Sequence, residues 1–247
     1  LKNEWTTDCQ SFLDIESKQD TAPFNLAKPD STCPHCGHKI RIWENIPVLS
    51  YLLLRGRCSA CKTPISAQYP AIEAITAMLS VMVAWRFGVS AETLFGLLLT
   101  WSLICLTVID AKTQLLPDNI TLPLLWLGLL INSAEVFTSL SAAVWGAALG
   151  YLVLWLVYQL FKVVTGKEGM GYGDFKLLAA LGAWMGWDML PQIILLSSVV
   201  GAVVGISMML LIKHNKNQPI PFGPYLAIAG WIAFMWGNDI NQLWLTV

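Results

Sequence analysis

The stretch Trp101-Ser-Leu-Ile-Cys-Leu-Thr-Val-Ile-Asp110 decides how this chain is read, because nine uncharged residues lead directly into a carboxylate. A second acid, Asp174, ends Gly171-Tyr-Gly-Asp174 just before another apolar stretch. A carboxyl group at the edge of hydrocarbon is costly to ionise, and two such groups brought together can share one proton. The two patterns predict a pair of carboxylates at a membrane surface, which is what an acid protease needs.

Composition places the whole chain among membrane proteins. Of its 247 residues, 55% are apolar, only 13% are charged and 12 are tryptophan. This apolar share exceeds that of a usual soluble domain, and the apolar residues come in blocks. We therefore predict an all-α polytopic membrane protein. The net charge of −1 gives no reason to expect nucleic acid as a partner.

Seven apolar segments follow residue 69, and we expect each to form a transmembrane helix. They lie near 70–87, 93–109, 120–134, 141–161, 175–187, 190–212 and 222–237. Several are shorter than the roughly 20 residues that a bilayer requires of a helix. The two shortest flank the two aspartates, so we expect them to be tilted, re-entrant or extended through polar residues that face the bundle interior.

The first part of the chain differs from the rest. Residues 1–68 hold 8 of the 15 lysines and arginines and 7 of the 16 acids. This charge predicts a water-facing domain at 1–68 and a membrane domain at 69–247. Because the chain starts at Leu1 and shows no signal peptide, we expect a further segment to precede it in the full-length protein.

Lysines in alternate loops predict the orientation. Lysines occur in the loops at 110–119, 162–174 and 213–221. Basic residues are absent from the loops near 88–92, 135–140 and 188–189. Basic loops stay in the cytoplasm. We therefore expect residues 1–68, Asp110 and Asp174 on the cytoplasmic side, and the C-terminus outside.

Two Cys-x-x-Cys pairs in the polar region indicate a metal site. Cys33 and Cys36 form the first pair, and Cys58 and Cys61 form the second, with 21 residues between the pairs. This spacing is close to that of a zinc ribbon with four thiolates, a closed ligand set that leaves no position for water. Gly37 permits the positive φ that turns backbone amides toward sulfur. Two disulfides or four idle thiols are the alternative, which a reducing cytoplasm disfavours.

For some of the aspartates, capping of a helix is an alternative to a catalytic role. Asp118 follows Pro117 and precedes an apolar helix, so we interpret it as an N-cap. Asp174 has the same alternative, but Asp110 ends a helix, where the dipole disfavours a negative charge. Glycines at alternate positions before Asp174, including Gly171 and Gly173, predict a loop or a broken helix entry with unusual backbone freedom.

Taken together, these residues closely resemble the bacterial type IV prepilin peptidases over nearly the whole chain. The resemblance rests on the cysteine pairs and on four further motifs. These are Arg41-Ile-Trp-Glu-Asn-Ile-Pro-Val-Leu-Ser50-Tyr51, Asp110 with Leu116-Pro117-Asp118, Gly171-Tyr-Gly-Asp174-Phe-Lys176 and Pro219-Ile-Pro-Phe-Gly-Pro224. Family members begin with a further transmembrane helix and a short motif, which we expect to precede Leu1 in the full-length protein.

The resemblance implies an activity and its residues. Asp110 and Asp174 would be the catalytic pair of a Gly-x-Gly-Asp aspartic peptidase, and the four cysteines would bind zinc, structural or used for methylation. The enzyme would remove basic leader peptides from type IV prepilins and type II secretion pseudopilins at the cytoplasmic face of the bacterial inner membrane. It would then methylate the new N-terminus with S-adenosylmethionine.

Other readings of the same residues make different predictions. A proton- or ion-coupled transporter could use rim aspartates, but it would favour an inverted repeat, which is not apparent. A metal-dependent intramembrane protease would need a motif such as His-Glu-x-x-His in a crossing. A structural protein with a zinc-ribbon head would leave Asp110 and Asp174 dispensable.

Overall fold

The computed structural model describes residues 31–167, 169–211 and 221–245. These residues form helices and connecting turns, and no strand occurs among them. The predicted all-α class is therefore confirmed for this part of the chain. Most of the predicted lysine-bearing loop at 213–221, and the first 30 residues of the predicted polar domain, lie outside the described residues.

Eight α-helices are labelled here in chain order. They are α1 (Leu49–Leu53), α2 (Gln68–Phe87), α3 (Ala91–Thr113), α4 (Asp118–Asn132), α5 (Leu140–Thr165), α6 (Tyr172–Met185), α7 (Leu190–Leu211) and α8 (Gly223–Leu245). Two 3₁₀ helices add Ile42–Asn45 and Trp187–Met189. Each predicted apolar segment falls on one of the helices α2 to α8.

Four helical segments of the described chain are long and apolar enough to cross a membrane. They are Gln68–Phe87, Ala91–Thr113, Leu140–Thr165 and Trp187–Ser207. The protein is therefore a membrane protein. Helices α4 and α6, with 15 and 14 residues, are shorter than the roughly 20 that a bilayer requires. Seven crossings stay a prediction.

The first compact unit, Leu1–Met78, is described from residue 31 onward and contains both cysteine pairs. Each pair sits in a tight turn closed by backbone hydrogen bonds. In the first turn the Gly37 amide donates to the Cys33 carbonyl at 2.9 Å, and in the second the Lys62 amide donates to the Cys58 carbonyl at 3.1 Å. Gly37 has φ +70°, as predicted, and Lys62 takes a similar φ of +59° in the second turn.

The second compact unit, Leu79–Val247, is built around α6. Every residue of α6 from Asp174 to Met185 is buried except Lys176. Helix α5 lies directly against it, because a Cβ on Gly146 or on Gly182 would overlap the carbonyl group of the other glycine. Gly146 and Gly150 are four residues apart and present the same small surface, as in membrane helices whose backbones pack closely.

The buried end of α6 needs partners for its backbone. The last carbonyls of a helix have no partner within it, and hydrocarbon supplies none. Asn132 supplies them, since its Nδ2 donates to the Ala183 carbonyl at 2.8 Å and to the Trp184 carbonyl at 3.0 Å. Its Oδ1 accepts from the amides of Phe137 and Thr138. Asn132, fully buried, therefore fastens the C-terminal end of α6 to the turn after α4.

We predict that Gly146→Ala or Gly182→Ala destabilises the protein. Alanine would favour either helix by up to about 1 kcal/mol. The collision of backbones should outweigh this and cost about 1–3 kcal/mol. Thermal unfolding in detergent measures the difference. Gly201→Ala is the matched control, because the nearest atom to its new Cβ would be Tyr225 Cδ2 at 3.4 Å. Equal stability of all three variants would contradict the tight contact.

Candidate functional site

Asp110 lies in the last turn of α3 and is buried, with only 4% of its surface exposed. Its Oδ2 has no hydrogen-bond partner among the described residues. This oxygen lies against Gly223, the first residue of α8, where a Cβ would come within 2.5 Å of it. A glycine at this position therefore leaves room for the carboxylate. The Gly223 amide faces this carboxyl group, but a buried carboxylate oxygen that has no partner of its own is still costly and is typical of functional sites.

Asp174 lies in the first turn of α6 and is 7% exposed. The N-cap of this helix is Gly171, and its backbone amide faces the Asp174 carboxyl group. A helix N-terminus favours negative charge. The N-cap alternative for Asp174 is therefore wrong, because Gly171 is the N-cap; the Asp174 carboxyl group also interacts electrostatically with Asp110.

The two carboxyl groups line one cavity of about 450 Å³. Its walls come from the end of α3, the turn before α4, the start of α6 and the turn before α8. The lining residues are Asp110, Gln114, Leu115, Leu116, Asp118, Gly171, Tyr172, Gly173, Asp174, Lys176, Pro221 and Phe222. The structure therefore brings together both predicted aspartates and both predicted supporting glycines, although they come from distant parts of the sequence.

The glycines before Asp174 provide space. Neither Gly171 nor Gly173 is among the residues with positive φ. A Cβ on Gly173 would come within 2.7 Å of the Leu116 Cβ, whereas the nearest atom to one on Gly171 would be the Asp174 Oδ2 at 3.9 Å. The predicted backbone freedom is therefore not used at these two positions. Gly173 is needed so that the turn before α4 can approach the start of α6.

The predicted N-cap role of Asp118 is wrong. Pro117 occupies the N-cap position of α4 and no side chain caps this end. Both carboxylate oxygens of Asp118 instead accept from Nζ of Lys176, each at 2.7 Å. The carboxylate therefore pairs with a lysine from α6, which is remote in sequence, and does not bond to the amides at the start of α4.

The four cysteines of the first unit meet at one point. All four sulfurs lie within 4.8 Å of one another, and Cys33 Sγ and Cys61 Sγ are 3.9 Å apart. Four sulfurs at roughly 2.3 Å from a zinc ion would be about 3.8 Å apart in a tetrahedron. The cluster is therefore compatible with zinc. His35 and His38 are not needed as ligands, because the cysteines complete the set.

The surroundings of these thiols favour a bound cation. The hydroxyl and the backbone amide of Thr63 lower the pKa of Cys61 to about 6, and the backbone amides of Cys36 and His35 lower the pKa of Cys33. The His38 amide also lowers the pKa of Cys36, but the neighbouring sulfurs, Cys61 first, outweigh it and raise that pKa to about 11. Cys36 therefore keeps its proton at neutral pH, and all four sulfurs would be thiolates only beside a cation, whose binding would release protons.

A second cavity, of about 390 Å³, lies beside the cysteine cluster in the first unit. Tyr51 and Tyr69 contribute aromatic surface, and Glu44 and Glu73 contribute carboxylates. The backbone amide of Arg41 holds the pKa of Glu44 below its usual range, so this group is ionised at neutral pH. The Glu73 carboxylate accepts from the Val48 amide at 2.8 Å.

Comparison with known proteins identifies the family of the chain. Residues 97–206 match the model of the type IV leader peptidase family. Residues 7–87 match the bacterial peptidase A24 N-terminal domain. The chain belongs to the type IV leader peptidase family. Both aspartates lie in the first match and all four clustered cysteines lie in the second.

Relatives in several bacteria carry the name prepilin leader peptidase/N-methyltransferase. The protein from Stutzerimonas stutzeri is 57% identical over 245 residues, which cover 99% of this chain and 85% of the relative. The protein from Pseudomonas aeruginosa is 55% identical over 245 residues, with 99% and 84% covered. The protein from Legionella pneumophila is 46% identical over 240 residues, with 97% and 84% covered. No solved structure matches the chain.

Sequence reasoning gave no role to three residues at or beside the aspartate cavity. Gly223 makes room for Asp110, and its signal was the Pro-Phe-Gly-Pro run before the last helix. Lys176 pairs with Asp118. Leu116 packs between the start of α6 and the start of α8, and no property of an isolated leucine distinguishes it. A lysine two residues after a rim aspartate was visible in sequence, but its partner was not.

Proposed function

We propose that this chain removes leader peptides from type IV prepilins and methylates the new N-terminus, with Asp110 and Asp174 as the catalytic pair. Cleavage and methylation are supported by family membership and by the relatives' shared name over nearly the full chain. A transporter, the alternative use of two rim aspartates, has no support among these relatives.

One observation carries the proposed catalytic pair. Asp110 and Asp174 come from opposite ends of two different helices, yet both are buried and line the same cavity. Buried acids without a salt-bridge partner are rare unless they have a function. The cavity volume of about 450 Å³ is within the range of ligand-binding clefts.

The chemistry of two such carboxyl groups is general acid–base hydrolysis. One group, holding a shared proton, hydrogen-bonds the scissile carbonyl oxygen and polarises it. The other group takes a proton from a water molecule while the oxygen of that water bonds to the carbonyl carbon. The C–N bond then breaks, and the amine leaves with a proton from the pair. Because two coupled carboxyl groups share their protons, the roles of acid and base belong to the pair and are not divided between Asp110 and Asp174.

We also propose that Cys33, Cys36, Cys58 and Cys61 hold one structural zinc ion. Four thiolates fill the coordination sphere and leave no position for water, so the ion would not hydrolyse peptides. Its contribution would be to fold the first unit, since the described part of this unit contains no strand and only short helices before α2. Binding of structural zinc supplies folding free energy directly.

The cavity beside the cysteines is our proposed site for the methyl donor. S-adenosylmethionine supplies a methyl group from a sulfonium cation and carries an adenine ring. An ionised Glu44 suits a cation, and aromatic residues such as Tyr51 and Tyr69 suit both the cation and a flat ring. The volume of about 390 Å³ fits a ligand of this size.

The topology that we propose has helices α2 to α8 crossing the bacterial inner membrane. Four of them have the necessary length and apolarity, and the alternating lysines favour a cytoplasmic position for residues 1–68 and for both aspartates. The boundary between a water-facing domain and a membrane domain would fall near residue 68, where α2 begins. Pseudopilins of type II secretion would be further substrates.

We predict that Asp110→Asn and Asp174→Asn each abolish cleavage. Asparagine keeps the shape of the side chain but can neither take nor hold the catalytic proton. Processing of a prepilin by the purified full-length protein in detergent measures the effect. Asp188→Asn, at an exposed acid in the 3₁₀ helix before α7, is the matched control and should cleave normally. Cleavage by either of the first two variants would refute the catalytic pair.

We predict one zinc ion per chain, measured by mass spectrometry of the purified protein. Cys58→Ser should lose the ion because three thiolates bind it less tightly than four. Cys105→Ser, at an exposed cysteine in α3, should retain it. Because protons compete with the ion for sulfur, zinc should dissociate as the pH falls. Full zinc content in Cys58→Ser would exclude the four-cysteine site.

We predict that Tyr69→Ala weakens binding of S-adenosylmethionine, measured by isothermal calorimetry, by on the order of tenfold, as loss of one aromatic contact implies. Peptidase activity should be unchanged, because Tyr69 does not line the aspartate cavity. Trp43→Ala removes an exposed aromatic residue that does not line the donor cavity, and it should bind normally. Wild-type affinity in Tyr69→Ala would place the donor elsewhere.

A further inference from the structure

The segment from Gln114 to Pro117 joins α3 to α4, and most of it lines the aspartate cavity, as does Asp118 at the start of α4. The side chain of Leu116 lies between two glycines, since a Cβ on Gly173 would come within 2.7 Å of the Leu116 Cβ and one on Gly223 within 3.2 Å of its Cδ1. Gly173 precedes Asp174, and Gly223 lies against Asp110. Leu116 is thus a wedge between the backbones that carry or contact the two carboxylates.

One ion pair holds this segment to α6. Nζ of Lys176 lies 2.7 Å from each carboxylate oxygen of Asp118. Asp118 is the first residue of α4, and Lys176 follows Asp174 by two residues in α6. Among the cavity-lining residues that the structure describes, Lys176 is the one cation. Lys176 therefore links the wall formed by α6 to the wall formed by the start of α4.

We propose that Asp118 and Lys176 form a positioning clamp that holds the Leu116 wedge in place and so sets the separation of the two carboxylates. This inference rests on the proposed catalytic role of Asp110 and Asp174. The Asp118 side chain is 51% exposed and that of Lys176 is 28% exposed. An ion pair this exposed contributes little to global stability. Its effect should therefore be seen in catalysis, because small displacements of reacting groups are costly to rate.

The test measures kcat and KM for a prepilin in purified full-length variants. Lys176→Met keeps the length of the side chain and removes the charge. We expect kcat to fall on the order of 10- to 100-fold, as a displacement of about 1 Å implies. KM should change by less than about twofold, because the clamp does not bind substrate. Lys112→Met, at an exposed lysine in the last turn of α3, is the matched control and should match the wild type.

Restoring the pair should restore the rate. Lys176→Arg, which can still bind both carboxylate oxygens, should recover most of kcat. The charge-reversed double variant Asp118→Lys with Lys176→Asp should exceed either single reversal, as a double-mutant cycle for an interacting pair requires. Thermal unfolding should differ little among these proteins. If Lys176→Met fails to fold, Asp118→Asn breaks the same pair with a nearly isosteric change.

Several results would overturn the clamp. A folded Lys176→Met with wild-type kcat would show that the pair does not position the carboxylates. A raised KM with unchanged kcat would make the two residues substrate ligands, and a charge-reversed variant no better than either single reversal would show that they act separately. Asp110→Asn, assayed in parallel, separates these failures from that of the proposed function, because cleavage by this variant would refute the catalytic pair itself.

Discussion

The contact of α5 with α6 through Gly146 and Gly182 is the constraint on which the rest of the second unit depends. Helix α6 has 14 residues and would extend only about 21 Å at 1.5 Å per residue, less than the roughly 30 Å of hydrocarbon. Such a helix is retained in a membrane protein when other helices surround it and satisfy its ends. The two glycines allow α5 to pack closely against α6, and Asn132 donates hydrogen bonds to carbonyls at the C-terminal end of α6. Its N-terminal end carries Asp174 in its first turn, at the cavity that Asp110 also lines.

The same constraint explains why the aspartate cavity consists of helix ends and turns. A carboxylate in the middle of a long lipid-facing helix could not meet water and a peptide together. Asp110 is in the last turn of α3 and Asp174 in the first turn of α6, so the turns that follow or precede them enclose the cavity. Irregular backbone at this depth is tolerated only where protein or a polar cavity surrounds it. Gly173 and Gly223 have no side chains because those turns approach each other and the carboxylates closely.

Sequence reasoning succeeded where a signal is local and failed where the partner is remote. Helical segments follow from runs of apolar residues, and the cysteine cluster from short spacings. The interpretation of Asp118 as an N-cap was wrong because it considered only neighbouring residues, whereas Lys176 lies on another helix. Asn132 had no assigned role for the same reason, since its carbonyl partners belong to the end of α6. Gly173 was singled out because glycine allows unusual backbone conformations. In the structure it matters instead because a Cβ at this position would collide with Leu116.

The division of chemistry between the two units follows from what each reaction requires of its surroundings. The zinc site that we propose needs thiols that lose their protons on metal binding, and a polar unit in which Cys36 is exposed to solvent suits this need. Two carboxyl groups that share a proton need the opposite, because water would let both ionise independently. Asp110 and Asp174 are accordingly buried within the apolar second unit. In the arrangement that we propose, the change in composition near residue 68 separates a water-facing metal site from a buried pair of carboxyl groups, and each site has the surroundings that its chemistry requires.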